Sequence, residues 1–207
     1  QVKASGVDFV IIRCGYGRDE RGQDDRQWYR NVSECERLGI PFGVYLYSYA
    51  KDTDSARSEA QHVLRLISGH NLTYPVYYDM EDDSTIGCDL TSIATTFCNT
   101  IKSAGYAVGV YASLSWWNTY LTAPCFGQWY RWVAQYNSTC KYTGEYAIWQ
   151  YSSTGRVSGI STDVDMNYLI GYPKDHGAAS SINIPDETQN IISYSAHVSD
   201  IGWMNSV

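Results

Sequence analysis

The sequence predicts an α/β fold built on a parallel sheet, either a barrel or a doubly wound sheet. Up to Tyr111, apolar strand-like runs alternate with helix-like stretches across short links, and this order implies parallel strands with right-handed crossovers. After about Tyr120 the pattern changes to strand-like segments joined by loops. We therefore expect the last third to close the sheet by strands alone, around the sizeable core that a chain of 207 residues can bury.

The first strand and helix have clear local signals. Residues 7–13 form a continuous apolar run, as in a parallel strand that is covered on both faces. A helix-like stretch at 27–38 ends before Gly39 and Pro41, which are the usual stop signals. A second strand is predicted at 43–49, where tyrosines recur at every second position.

The later elements continue the alternation and then abandon it. In order, they are a helix capped by Asp54 and running to Ile67, an acidic strand at 75–81, a helix from Asp89 or Thr91 to Ala104, a strand at 107–111, and three strands at 132–136, 147–151 and 164–167. No glycine-rich dinucleotide or P-loop sequence follows any of these strands. This argues against nucleotide binding.

The acidic strand at 75–81 is the strongest functional signal. Because side chains alternate along a strand, Asp79 and Glu81 share one face with Tyr77. Two carboxyl groups at the carboxyl end of a barrel strand suit glycosidic bond cleavage, which requires a proton donor and a group that stabilises a cationic sugar. The run also fits an acidic loop, or a hard-cation site built from the carboxylates at 79–83.

Composition excludes several classes of function. A formal net charge of -7, without any Lys- or Arg-rich run, argues against binding to nucleic acid or to an anionic membrane. No stretch is apolar and long enough to span a membrane. The six cysteines form no metal-binding spacing, and we expect neither a metal nor a cofactor. Cys125 and Cys140, which flank a loop-rich segment, are the first candidates for a disulfide.

An ordered set of motifs covers about residues 1–172. It comprises residues 7–17, 43–49, 74–81, 109–113, 132–136, 149–151 and 164–167. In this order the set resembles a glycoside hydrolase family 25 lysozyme, an N-acetylmuramidase. The resemblance implies an irregular TIM-like barrel of five β/α units followed by three strands. It also implies a bacteriolytic hydrolase that degrades cell walls, by cleaving the β-1,4 bond between N-acetylmuramic acid and N-acetylglucosamine in peptidoglycan.

The resemblance assigns three catalytic carboxyl groups. Glu81 matches the family's catalytic acid, Asp79 its partner two residues earlier, and Asp165 the acidic residue of the last strand. Glu81 would donate a proton to the glycosidic oxygen and later accept one from water, for which its pKa must be raised. We expect Asp79, Asp82 and burial to raise that pKa, and Asp79 to stay ionised near the sugar.

Aromatic residues are candidates for the sugar cleft, because nineteen Tyr and seven Trp stand against four Phe. The predicted substrate-binding residues are Tyr47, Tyr111, Trp132 and Trp149, each of which fits a core position equally well. Asp24 and Asp25, in a charged stretch, are expected at the solvated surface.

One departure from the family pattern concerns the start of the chain. Residues 1–6 match the end of the family's first helix, so the first strand, which carries a further active-site Asp, would precede residue 1. We expect this to leave two unpaired sheet edges and a fragment that is itself weakly active or inactive. The competing hypothesis is a non-catalytic barrel remnant that still binds peptidoglycan. Chitinase-like barrels are disfavoured, because their longer series of spaced Asp residues is absent.

The tail predicts two further segments. Residues 173–192 are polar with Pro and Ser, as in a linker. Residues 193–207 resemble the start of a clostridial hydrophobic repeat with its Gly202-Trp203 signature, a module associated with cell-surface attachment. We expect this segment to be poorly ordered or docked on the barrel. Together with the resemblance, it predicts a secreted or wall-associated protein whose partner is the peptidoglycan glycan strand.

Overall fold

The computed structural model describes residues 1–171 and the backbone of residues 191–196, and in this part of the chain the strands form a closed barrel. The strands are β1 (Val10–Tyr16), β2 (Phe42–Tyr47), β3 (Val76–Asp79), β4 (Val108–Ser113), β5 (Tyr130–Ala134), β6 (Ile148–Gly155), β7 (Val164–Leu169) and β8 (Ile191–Ala196). The helices are α1 (Trp28–Leu38), α2 (Thr53–Ile67), α3 (Leu90–Ser103) and α4 (Leu114–Thr119). Neighbouring strands from β1 to β6 are parallel, and β7 is antiparallel to β6 and to β8. The predicted α/β barrel is confirmed.

Side chains cap the free backbone amides at the start of α2 and α3, and a glycine ends α1. Asp52, rather than the predicted Asp54, caps α2 by accepting a hydrogen bond from the amide of Ser55 at 2.7 Å. Asp89 caps α3 in the same way. Gly39 ends α1 in the left-handed conformation, with φ at 61°, which glycine adopts without strain.

The barrel interior is filled by aromatic rings rather than by a channel. Residues that point inward along the strands include Tyr45, Tyr77 and Tyr111, and their rings surround Trp132 at centroid distances of 6.2, 5.2 and 4.7 Å. Trp132 is only 2% exposed, and its indole N–H donates to Asn167 Oδ1 at 2.8 Å. This layer forms a rigid floor beneath the carboxyl ends of the parallel strands.

The outside of the barrel differs along the chain. Over β3, the outward ring of Tyr78 stacks on Phe97 of α3 at 3.8 Å, and both rings are buried. Within the described residues no helix covers β6 and β7, as predicted, and Trp149, Tyr151 and Tyr168 form an outer ring cluster instead. None of the helices in this part of the chain has the length and apolar character to cross a membrane.

The eighth strand corrects one expectation. β8 lies between β1 and β7, with Val10 opposite Tyr194 and Asp165 opposite Ser195. The expectation of two unpaired sheet edges is therefore wrong for this structure, because an extended segment from the tail supplies the missing backbone partners. β8 crosses the predicted boundary between linker and repeat, while the Gly202-Trp203 signature lies outside the described residues.

The cysteines are all free thiols, so the suggested pair of Cys125 and Cys140 is not formed here. Cys14 is fully buried in β1 and serves as a small core residue.

Candidate active site

Three carboxyl groups meet at one end of the barrel by two different routes. Asp79 is the last residue of β3, in register with Tyr47 on β2 and with Tyr111 on β4. Glu81 follows two residues later. Because β7 runs antiparallel to β6, its beginning lies at this same end and brings Asp165 to the site. The structure therefore brings together all three acids that the sequence assigned.

Burial and neighbouring negative charge raise the pKa values of two of these acids. Burial raises the pKa of Glu81 to about 7, and the negative charge of Asp165 contributes to the rise. Burial, then Glu81 and Asp165, raises the pKa of Asp79 well above its ordinary value. Asp79 is 1% exposed, and its Oδ1 accepts no hydrogen bond from the described residues. Burial and the neighbouring carboxyl groups thus act against the ionised form of Asp79 that the sequence analysis expects.

Asp82 has a different role from the predicted one. Its carboxylate accepts hydrogen bonds from the amide of Ser84 at 3.0 Å and from the hydroxyl of Tyr47 at 3.2 Å. Burial alone would raise the pKa of Asp82, but these hydrogen bonds outweigh it and lower the pKa. The charge that acts on Glu81 comes from Asp165 across the barrel, and Asp82 instead orients Tyr47.

A cation beside the acids was missed by the sequence reading. Arg13 on β1 donates from Nε to Asp25 Oδ2 at 2.7 Å, and its positive charge partly opposes the rise in the pKa of Asp79. Asp25 is buried, so its predicted place at the surface is wrong. Asp24 is also engaged, because it accepts hydrogen bonds from His62 and Arg65. The sequence contained one signal for this residue. Side chains alternate along β1, and the alternation places Arg13 on the inward face of the barrel.

The predicted sugar-binding aromatics divide into two groups. Tyr47 and Tyr111 lie on the strands beside β3, directly next to Asp79. Trp132 packs inside the barrel beneath the acids, and Trp149 points outward and donates its indole N–H to the carbonyl of Gln135 at 2.9 Å. Trp132, Trp149 and Tyr111 are all buried in this structure, and the sugar-binding role of the four aromatic residues stays a prediction.

Gln150 is a second residue that the sequence reading missed. Its Oε1 accepts hydrogen bonds from the hydroxyls of Tyr111 at 3.0 Å and Tyr136 at 3.1 Å. Tyr136 is exposed, so Gln150 links a buried ring near the acids to a ring at the solvent boundary. Across residues 1–171 and 191–196, no group of three His, Cys, Asp or Glu is placed to hold a metal ion.

Comparison with known proteins gives consistent matches. The model of a family described as Glycosyl hydrolases family 25 matches residues 1–160. Lysozyme M1 of Streptomyces globisporus is 28% identical over 193 residues, covering 82% of this chain and 62% of the relative. The autolytic lysozyme of Clostridium acetobutylicum is 28% identical over 170 residues, covering 80% of this chain and 50% of the relative.

A solved structure agrees with these sequence matches. The modular autolysin LytC from Streptococcus pneumoniae superposes with a TM-score of 0.72 at 34% identity, over 80% of this chain and 42% of that chain. The same autolysin in complex with a synthetic peptidoglycan ligand gives a TM-score of 0.71. The chain thus spans about half the length of the relatives that it matches.

Proposed function

Because the chain belongs to glycosyl hydrolases family 25, we propose that the complete protein hydrolyses peptidoglycan at the β-1,4 bond between N-acetylmuramic acid and N-acetylglucosamine. The observation that carries the proposal is Glu81, whose pKa of about 7 leaves it able to donate a proton near neutrality. It lies with Asp79 and Asp165 at the end of the barrel where catalytic residues of such folds are found.

The proposed reaction has two steps. Glu81 protonates the glycosidic oxygen, the bond from that oxygen to C1 breaks, and the oxygen of the sugar's own acetamido group bonds to C1. Asp79 orients and stabilises this acetamido group. Water then attacks C1, the acetamido oxygen leaves, and the proton of the water returns to Glu81, so the configuration at C1 is retained. Asp165 maintains the raised pKa of Glu81 between the steps.

The substrate and location follow from the same proposal. The partner is the peptidoglycan glycan strand, in line with the LytC autolysin that was solved with a synthetic peptidoglycan ligand. Residues 1–172 would form most of the catalytic barrel. The proposed linker, 173–192, and the proposed repeat, 193–207, meet within β8, so residues 191–196 belong to the barrel sheet and attachment to the cell surface would fall to the residues after them. A secreted or wall-associated protein would meet its substrate directly. The raised pKa of the half-buried Glu81 favours this enzyme over a barrel that only binds glycan.

The test is to identify the ends that the protein creates. The complete protein is incubated with purified cell walls, and the new reducing ends are reduced with borohydride and identified. We expect reduced muramic acid. Reducing ends only at N-acetylglucosamine would show that the wrong bond was assigned, and glycan binding without new ends would favour the non-catalytic remnant.

A further inference from the structure

A row of three tyrosine rings leads away from the carboxyl cluster. The hydroxyl of Tyr47 donates to Asp82, which follows the acidic strand. The ring of Tyr47 lies 5.1 Å from that of Tyr49, which in turn lies 6.3 Å from that of Tyr16. The planes of Tyr49 and Tyr16 are nearly perpendicular, at 88°, so the two rings form a corner.

The backbone holds these rings at the catalytic end of the barrel. Tyr16 is the last residue of β1 and is in register with Tyr47, which is in register with Asp79. The amide of Gly17 donates to the carbonyl of Tyr47 at 2.9 Å and ties the two strand ends together. Tyr16 and Tyr49 are 36% and 48% exposed, unlike the buried tyrosines of the barrel floor. They are therefore presented to an occupant of the cleft.

A cavity of about 480 Å³ opens beside this corner. Besides the two rings, its lining includes Arg18, Gln23 and Ser55. Arg18 donates to the hydroxyl of Ser55 at 2.7 Å and remains half exposed, while Gln23 Oε1 has no hydrogen-bond partner among the described residues. Aromatic walls with a few polar groups are typical of sites for small neutral ligands that carry hydroxyl and amide groups.

We propose that Tyr16 and Tyr49 form an additional sugar-binding subsite, which holds a unit of the glycan strand remote from the bond that is cleaved. The proposal rests on the proposed function, and extends it from the scissile bond to the length of glycan that the cleft grips. A sugar packs the C–H face of its ring against one tyrosine and its edge against the other. Its hydroxyl and acetamido groups then face the polar lining of the cavity.

Charge favours a neutral sugar over the acidic stem peptide of the cell wall. The carboxylate of Asp82, whose pKa is lowered, accepts a hydrogen bond from Tyr47 at the start of this row of rings, and the chain carries a net charge of -7. These charges disfavour a ligand that brings further carboxylates. Arg18 is the cation in the lining of this cavity, and Asp52 lies 4.0 Å from it.

Binding to glycans of different length tests the subsite. The probes are a disaccharide and a hexasaccharide of alternating N-acetylglucosamine and N-acetylmuramic acid, without peptide. Calorimetry is done with the Glu81→Gln protein, so that the probes are not consumed. In the Tyr16→Ala/Tyr49→Ala variant we expect the Kd for the hexasaccharide to rise about tenfold and that for the disaccharide to stay within about twofold, because two ring contacts are lost only by the longer glycan.

Two controls separate stacking from structural damage. Tyr49→Phe keeps the ring and should retain hexasaccharide binding, whereas Tyr29→Ala removes a 62% exposed tyrosine on α1 and should change neither Kd. An unchanged hexasaccharide Kd in the double variant, or an equal loss for both lengths, would overturn the subsite. Failure of the proposed reaction is visible separately: the unmodified protein would then create no reducing ends, while the length-dependent loss of binding would still support the subsite.

Discussion

The two parts of the barrel bring acids to the same end by opposite means. In the parallel part, β1 to β5, buried strands are covered by helices. Asp79 is the last residue of β3 in this part, and Glu81 follows it. In the closing part, β6 to β8, strands meet in antiparallel pairs, and Asp165 comes as β7 begins. The direction of a strand therefore decides whether its site residue lies at the end or at the beginning of the strand. Sequence rules based on parallel βα units look only at the ends of strands, so they find Asp79 and not Asp165.

The chemistry depends on both parts together. Burial within the parallel part is the larger cause of the raised pKa of Glu81, and Asp165 from the closing part adds to it. Arg13, held by Asp25, limits the build-up of negative charge around Asp79. The proton donor is thus tuned by residues that lie far apart in the sequence.

The largest expected effect lies in the parallel part. Glu81→Gln keeps the shape of the side chain but removes its proton, and general acid catalysis is typically worth about 100- to 10,000-fold. We expect a loss of turnover in that range for the complete protein, with glycan affinity and thermal stability nearly unchanged. Reducing-end assays and calorimetry measure the two quantities. The matched control is Asp83→Asn, which replaces an exposed carboxylate nearby. A loss of turnover below about tenfold for Glu81→Gln would mean that another residue is the acid.

Predictability from sequence also differs between the two parts. Local patterns located the parallel elements to within a few residues, as for α1 (Trp28–Leu38), because stop signals and periodicity act over one turn or one strand. They placed the carboxyl pair of Asp79 and Glu81 correctly for the same reason. The pairing of β8 with β1 has no such local signal, because it joins segments from opposite ends of the chain.

The errors at the site have a common physical cause. Asp25 was expected in solvent because its neighbours in the sequence are charged, yet it is buried, and its carboxylate accepts hydrogen bonds from Arg13 Nε and from the amide of Gln27. By residue type Trp132 suited the cleft and the core equally, and the structure places it in the barrel interior with 2% of its surface exposed. Tertiary contacts decide between these states, and residue type alone does not.

A second effect compares the packing outside the two parts. Phe97→Ala should lower the free energy of unfolding by about 3–5 kcal/mol, because the ring of this α3 residue is fully buried and stacks on Tyr78 of β3. Tyr168→Ala should cost only about 1 kcal/mol, because its ring is partly exposed and stacks on Tyr151 at 4.4 Å without a covering helix among the described residues. Urea unfolding of both variants measures the difference. Equal losses would mean that the closing part is packed as tightly as the helical part.

The smallest effect tests the charge that joins the two parts. Asp165→Asn removes a negative neighbour, which makes ionisation of Glu81 easier and should lower its pKa below about 7. Since the acid must be protonated to act, activity should fall as pH rises through that pKa, and the fall should begin at lower pH in the variant. NMR titration of the Glu81 carboxyl carbon follows the pKa even if turnover is slow. Asp163→Asn is the control, because Asp163 is half exposed and pairs with Arg156 at 2.8 Å. If both variants lower the pKa of Glu81 equally, long-range charge, rather than the position of Asp165 across the barrel, sets the proton affinity of Glu81.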